Sequence, residues 1–390
     1  MEKYILCTVF MVIAFSCKRN AGFLEQNKVS YDYELAENGK GLSYSLDEDT
    51  KYQFVSLFPY EERNGKTYLT FMNSIHEILF YDLPSGEFLF KTKIEPEGPD
   101  GITGPSGYYV ISLDSIYVTT LSVPTLYSID QNGTVLQRIN YGETESGYTV
   151  IPTFNPNSFF YTPLFVINHE LYITQKPSWT VPVSSTPVSV VINPENHLCK
   201  ELPFFFPPLI KDEEFGHVGG FALSFSREFD GEKFIYSFYY DEAIYVAPVD
   251  HSEIRKYVVK SKYIDHVKVV KKRKEDMFLF AKNDYKDPCY GNLLYDKYRN
   301  IYYRLAYPKA ALEEGVNYVA MTAQGRKKFS IIVLDEKFNI MGETLFPEYI
   351  YNPILLFVHP DGLYICDNHI MNPSFKEDVL SFKCFELVKK

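Results

Sequence analysis

Two carboxylates set a fixed distance apart can share general acid and base work, and this chain offers Asp100, Asp114 and Glu214 for such a pairing. Spacing along a sequence does not set that distance, so the residue types alone define no hydrolytic site. Glu97 and Asp100 sit in EGPDG (97–101), where Gly98 and Gly101 would let backbone amides approach a ligand or simply form a turn. Asp212, Glu213, Glu214 and His217 lie together in LPFFFPPLIKDEEFGHVGG (202–220), and His217 has the chemistry of an acid, a base or a ligand. Trp179, the only tryptophan, stands in KPSWTVPVSSTP (176–187), where an indole can stack on a sugar or cover a sheet edge. An acidic loop set of this kind can recruit a cation, an amine or a basic surface, and equally keeps an aromatic-rich chain soluble. No His-x-x-x-His pair, C-x-x-C pair, acidic calcium loop, Gly-x-Ser-x-Gly elbow or P-loop occurs. The expectation is therefore no metal, no cofactor and a non-enzymatic binding module. A carbohydrate-active hydrolase or lyase working through the acidic loops is the alternative.

Cys17 has the most specific surroundings. A positive charge at Lys3 precedes an apolar run from Ile5 to Phe15, too short to span a bilayer and of signal-peptide length. The run closes on Ala14-Phe15-Ser16-Cys17, which resembles the lipobox of bacterial lipoproteins, with Ala14 where leucine is usual. On that resemblance residues 1–16 are a cleaved signal, Cys17 carries lipid, 17–28 are a polar tether and 29–390 form the folded body. Lys18-Arg19 replaces the acidic run that sends some lipoproteins to the cell surface, which favours the outer membrane facing the periplasm. Of the other cysteines, Cys7 leaves with the signal. Cys199, Cys289, Cys366 and Cys384 read as buried thiols, with a Cys366–Cys384 bridge as the alternative.

The body must be rich in strands. Apolar residues make up 46% of 390, and the aromatics are 33 Tyr and 31 Phe, whose flat rings pack well on a pleated surface. A net charge of −11 argues against a nucleic-acid partner, and KKRK (271–274) reads as a solvated strand end. Strand hairpins recur with Asp82, Asp130, Asn193, Asp250, Asp296 and Asp335 at their turns. Spacings of about 40–60 residues, with further strand-like runs between, are those of four-stranded propeller blades. The prediction is an all-β fold: one monomeric β-propeller, seven blades preferred over six, closed by an N-terminal strand such as 29–35. One helical turn is expected near 310–314.

The run FMNSIHEILFYD (71–82), then EGPDG (97–101), then SLDSIYV (112–118) resembles an uncharacterised family of Bacteroidetes-type lipoproteins with a propeller fold. The specific part of the likeness covers roughly 66–140. It implies fold and an envelope location and leaves function open; the binding-module reading takes as partners the membrane, through lipid, and an envelope protein or glycan. It implies no catalytic residue.

Overall fold

Each expected turn is built by the mechanism its residue type dictates. The Asp130 carboxylate accepts from the backbone N–H groups of Asn132 and Thr134, and Asp335 accepts from Lys337 and Asn339 in the same way. Asp82, Asn193, Asp250 and Asp296 bind the amides of Ser85, Glu195, Ser252 and Tyr298. A short side-chain acceptor satisfies donors that the turning backbone leaves open.

The computed structural model describes residues 22–54, 56–151, 161–177, 182–208, 223–267, 277–321 and 324–390. Near the N-terminus, β1 (Phe23–Glu25) and β2 (Val29–Ser45) precede the repeating part. A first antiparallel sheet contains β3 (Ser56–Glu61), β4 (Thr67–Met72), β5 (Glu77–Asp82) and β6 (Phe88–Lys93) in chain order. The second holds β7 (Pro105–Ser112), β8 (Ser115–Thr120), β9 (Thr125–Ile129) and β10 (Val135–Asn140). β11 (Phe165–Ile167), β12 (Glu170–Thr174), β13 (Ser189–Ile192) and β14 (Cys199–Glu201) make the third. The fourth is β15 (Phe225–Phe229), β16 (Lys233–Phe238), β17 (Ala243–Pro248) and β18 (Arg255–Val258). Helix α1 (Met277–Lys286) leads into β19 (Cys289–Asp296) and β20 (Ile301–Tyr307). Helix α2 (Tyr318–Met321) then precedes β21 (Ser330–Leu334) and β22 (Ile340–Leu345), which complete the fifth sheet. The helical turn expected near 310–314 is thus replaced by helices at 277–286 and 318–321.

The sixth sheet comes from both ends of the chain. β23 (Asn352–His359), β24 (Gly362–Cys366) and β25 (Val379–Lys389) supply three strands, and β2 pairs antiparallel with β25 as the fourth. The predicted N-terminal closing strand takes this place. β2 also touches β22 in parallel at Val29–Ile340 and Tyr33–Gly342, so the fifth and sixth sheets share an edge.

Successive sheets pack face to face, and the last packs on the first. Phe80 meets Tyr108 between sheets one and two, and Leu126 and Ile139 meet Leu171 and Ile173 between two and three. Val191 and Phe234, then Ile235 and Ile332, fill the next two interfaces. Leu305 and Ile331 lie with Leu363 and Ile365, and Tyr364 and Phe382 lie with Leu69 and Phe71. A sheet covered on both faces needs apolar side chains on both. β5, β16 and β20 are accordingly buried along nearly their whole length, whereas β10 on the rim alternates.

The described strands form four sheets of four or five strands and one of eight, whose two four-stranded halves are the fifth and sixth named above. One of these halves holds the turns of both Asp296 and Asp335. Their hairpins, counted as separate blades, are β19–β20 and β21–β22, and β20 pairs with β21 in one sheet. Phe23–Glu25, assigned to the tether by sequence, instead pairs in parallel with β18 as a fifth strand.

All four described cysteines are buried free thiols. Cys366 stands opposite Phe382 and Cys384 opposite Tyr364, so the two thiols are out of register for a bridge.

Candidate functional site at the centre of the ring

The first strands of the sheets are the inner ones, because β3 meets β7 and β23, and β19 meets β15 and β23, from sheet to sheet. A pocket of about 490 Å³ opens among these inner strands. It is lined by Phe58, Tyr60 and Glu61 of β3, Arg63 of the β3–β4 turn, Tyr109 of β7, Tyr161, and Lys297 of the β19–β20 turn. Glu61 and Lys297 form an ion pair at 3.1 Å.

Tyr161 belongs to the connection between sheets two and three, yet it is pinned against sheets four and five. Its N–H donates to Asn292 Oδ1 at 3.1 Å, and its carbonyl accepts from the Arg227 N–H and the Ser226 hydroxyl, each at 2.9 Å. Its ring lies 5.9 Å from that of Phe58 on β3. The Tyr161 hydroxyl donates to Glu228, which also accepts the N–H groups of Phe229 and Tyr295. Burial pushes the Glu228 carboxyl up to about 8 against those three donors, and burial beside Glu228 pushes Tyr109 up to about 12. The pocket therefore presents aromatic faces and charged rims over a floor that is held rigidly. Such a surface can stack on a planar or sugar ring and bond polar groups at its edge.

Two buried arginines keep this geometry in place. Arg227 on β15 donates to the Pro163 and Tyr172 carbonyls and to Ser189 Oγ, tying sheet four to sheet three. Arg304 on β20 lies 3.8 Å over the Tyr290 ring and donates to the carbonyls of Asp241, Glu242 and Val259, tying sheet five to four. Backbone carbonyls and serine hydroxyls rather than carboxylates pair with both guanidinium groups, and burial lowers Arg304 to about 10.

The residues singled out by sequence lie elsewhere. Asp100 Oδ1 accepts from Val135 N–H on β10 at 2.9 Å, and Arg138 donates to the Pro99 carbonyl. EGPDG is therefore clamped to the rim of sheet two. Glu97 on the same loop is exposed. Gly101 has Glu97 backbone atoms where a Cβ would stand, so its small size serves a tight turn. Asp212, Glu213, Glu214, His217, Trp179, Cys17 and KKRK (271–274) lie outside the described residues. Phe58, Tyr109, Tyr161, Glu228 and Lys297 were not singled out. Tyr109 was legible only as part of a strand, and nothing local marks Tyr161.

A family profile for a domain of unknown function, DUF4221, matches residues 32–345. The chain belongs to the DUF4221 family. A DUF4221 crystal structure from Bacteroides vulgatus ATCC 8482 is 30% identical, with a TM-score of 0.80 over 92% of this chain and 99% of that one. A protein from Bacteroides fragilis NCTC 9343, described as exported, aligns at 13% identity and TM-score 0.51, covering 95% of this chain and 99% of its own. At that identity the likeness shows fold alone. No curated protein matches the DUF4221 chain. Among its described residues no group of histidine, cysteine and acidic side chains is placed to hold a metal, and no helix is long and apolar enough to cross a membrane.

Proposed function

We propose that this DUF4221 protein is a six-bladed β-propeller, exported and held at the cell envelope by lipid on Cys17, that binds a glycan or protein ligand without catalysis. The pocket over Tyr161 carries this reading. Its walls come from strands far apart in sequence, its floor is fixed by Asn292 and Glu228, and its rim offers Tyr60, Tyr109, Arg63, Glu61 and Lys297. Aromatic platforms on a rigid scaffold lower the ordering cost of binding. The mouth is on the side of the first-to-second-strand turns, which supply Arg63 and Lys297. Support for lipidation comes from the residues before Cys17, and support for export from the same leader.

The test is a glycan array and an envelope-extract capture with the lipidated protein, each run beside Tyr109→Ala. Reproducible capture that weakens at least tenfold in the variant supports the reading. Capture unaffected by Tyr109→Ala moves the site elsewhere. Release of shortened or unsaturated glycans would replace binding by the hydrolase or lyase alternative.

A further inference from the structure

The N-terminal segment leaves several large apolar side chains exposed on the rim of sheets four and five. Phe23 and Leu24 of β1 are 70% and 69% exposed, and Val29 at the start of β2 is 58% exposed. Val258 at the end of β18 and Tyr263 beyond it are also exposed. The segments that carry them are tied together through the backbone. β1 pairs with β18 from Arg255 to Tyr257, the Asn27 side chain donates to the Val258 carbonyl, and Val29 pairs with Ile340. A groove of about 400 Å³ runs between these pieces, lined by Val29, Tyr31, Val258, Lys260 and Lys262. Lys262 lies 4.8 Å over the Tyr31 ring and 5.0 Å over Tyr263, so a cation and two phenols edge the apolar strip. Lys28 and Lys260 are exposed alongside.

Folded monomers seldom leave large aliphatic and aromatic side chains together in water, and β1 spends main-chain pairing on holding Phe23 and Leu24 outward. Lysines with long apolar stems beside tyrosines suit a bilayer headgroup zone, where the stem stays apolar and the ammonium reaches water. The length of chain before β1 decides the occupant. Cys17 and Phe23 are six residues apart, and six extended residues reach at most about 20 Å.

We propose that this strip rests on the membrane that holds the lipid of Cys17, an inference that depends on the lipid anchor proposed above. The occupant is a phospholipid surface, with Phe23, Leu24, Val29, Val258 and Tyr263 at the headgroup level. A lipid on Cys17 cannot carry the body farther from the bilayer than those six residues permit. Because β1 is the outermost strand of its sheet, the ring stands on its rim. The mouth over Tyr161 then opens sideways along the membrane, free of the lipid.

The test uses the full lipidated chain in vesicles of phosphatidylethanolamine and phosphatidylglycerol, with Cys17→Ser in buffer as the unanchored reference. Val258→Cys and Tyr263→Cys report on the strip, and Leu136→Cys on β10 reports on a distant exposed site; the four native thiols in the body are buried. Reaction with a membrane-impermeant maleimide should slow at least tenfold on vesicles at positions 258 and 263 and stay unchanged at 136. Mass spectrometry of the Cys17 peptide is read in parallel. An acyl group on Cys17 with equal labelling at all three positions overturns this inference and leaves the anchor standing. Absence of an acyl group overturns both.

Discussion

Glu61 on β3 and Lys297 in the β19–β20 turn meet at 3.1 Å, which links the first sheet to the fifth past the sixth that lies between them. The pair lies in the lining of the central pocket, and its side chains are 52% and 59% exposed. An ion pair so wet is worth at most about 1 kcal/mol. Lys297→Ala should leave the urea midpoint nearly unchanged while altering ligand capture at the mouth. A large loss of stability in that variant would show the pair to be a structural clasp instead.

Arg304 is the opposite case. It is fully buried, and its removal would take a donor from the carbonyls of Asp241, Glu242 and Val259, of which Glu242 keeps the Val259 N–H. Each orphaned buried acceptor costs on the order of 1–3 kcal/mol. Arg304→Met should therefore lose about 3 kcal/mol or more by denaturant unfolding. Arg304→Lys, lacking the planar fork, should recover only part. Wild-type stability in Arg304→Met would refute this account.

Acid should weaken the fold through His251 and His369. His251 Nδ1 donates to the Val249 carbonyl, and its Nε2 accepts from the Tyr236 hydroxyl at 2.6 Å. Burial holds both histidines down at about 4, against about 6.5 in an unfolded chain. Their neutral forms are kept by folding, so the contribution is complete above pH 6.5 and is lost as pH falls from there to 4. Unfolding free energy measured across that window should drop, and less steeply in His251→Gln.

Glu228 should give a slope of opposite sign. Its folded carboxyl is raised to about 8 by burial, against about 4.3 when unfolded. Protonation is favoured by folding, so this contribution is full below pH 4.3 and is lost as pH rises through 8. Glu228→Gln should flatten the decline between pH 5 and 8. If wild type and variant have parallel profiles there, the carboxyl is already ionised at the lower pH.

Closure of the ring depends on Gly342. A Cβ at this position would run into the backbone of Tyr33, where β2 crosses from β22 to β25. Gly342→Val should push β2 off both neighbours, lower the melting temperature and expose the N-terminal segment to protease. Unchanged cleavage kinetics would show that β2 closes the sixth sheet without needing this close approach.

Much of the local architecture was legible in the chain. Alternating and continuous apolar runs marked the strands, and six Asp or Asn residues marked turns that their own side chains build, because both effects act within a few residues. The site was less legible. Asp100 was a reasonable candidate by type, but its partner Val135 lies 35 residues away and makes it a clamp. Tyr161 acquires its role from Asn292, 131 residues distant, and no neighbour in sequence hints at that contact.

By itself, then, the sequence determined an all-β body of repeated hairpins and an N-terminal strand available to close the fold. Tertiary structure alone decided that the hairpins at Asp296 and Asp335 share a sheet, that β1 docks on β18, and that the centre is built from Tyr109, Tyr161 and Glu228. Turns and strands follow from short-range hydrogen bonding and side-chain period. Which sheets meet, and which side chains face one another across the ring, follows from packing between segments that the sequence keeps far apart.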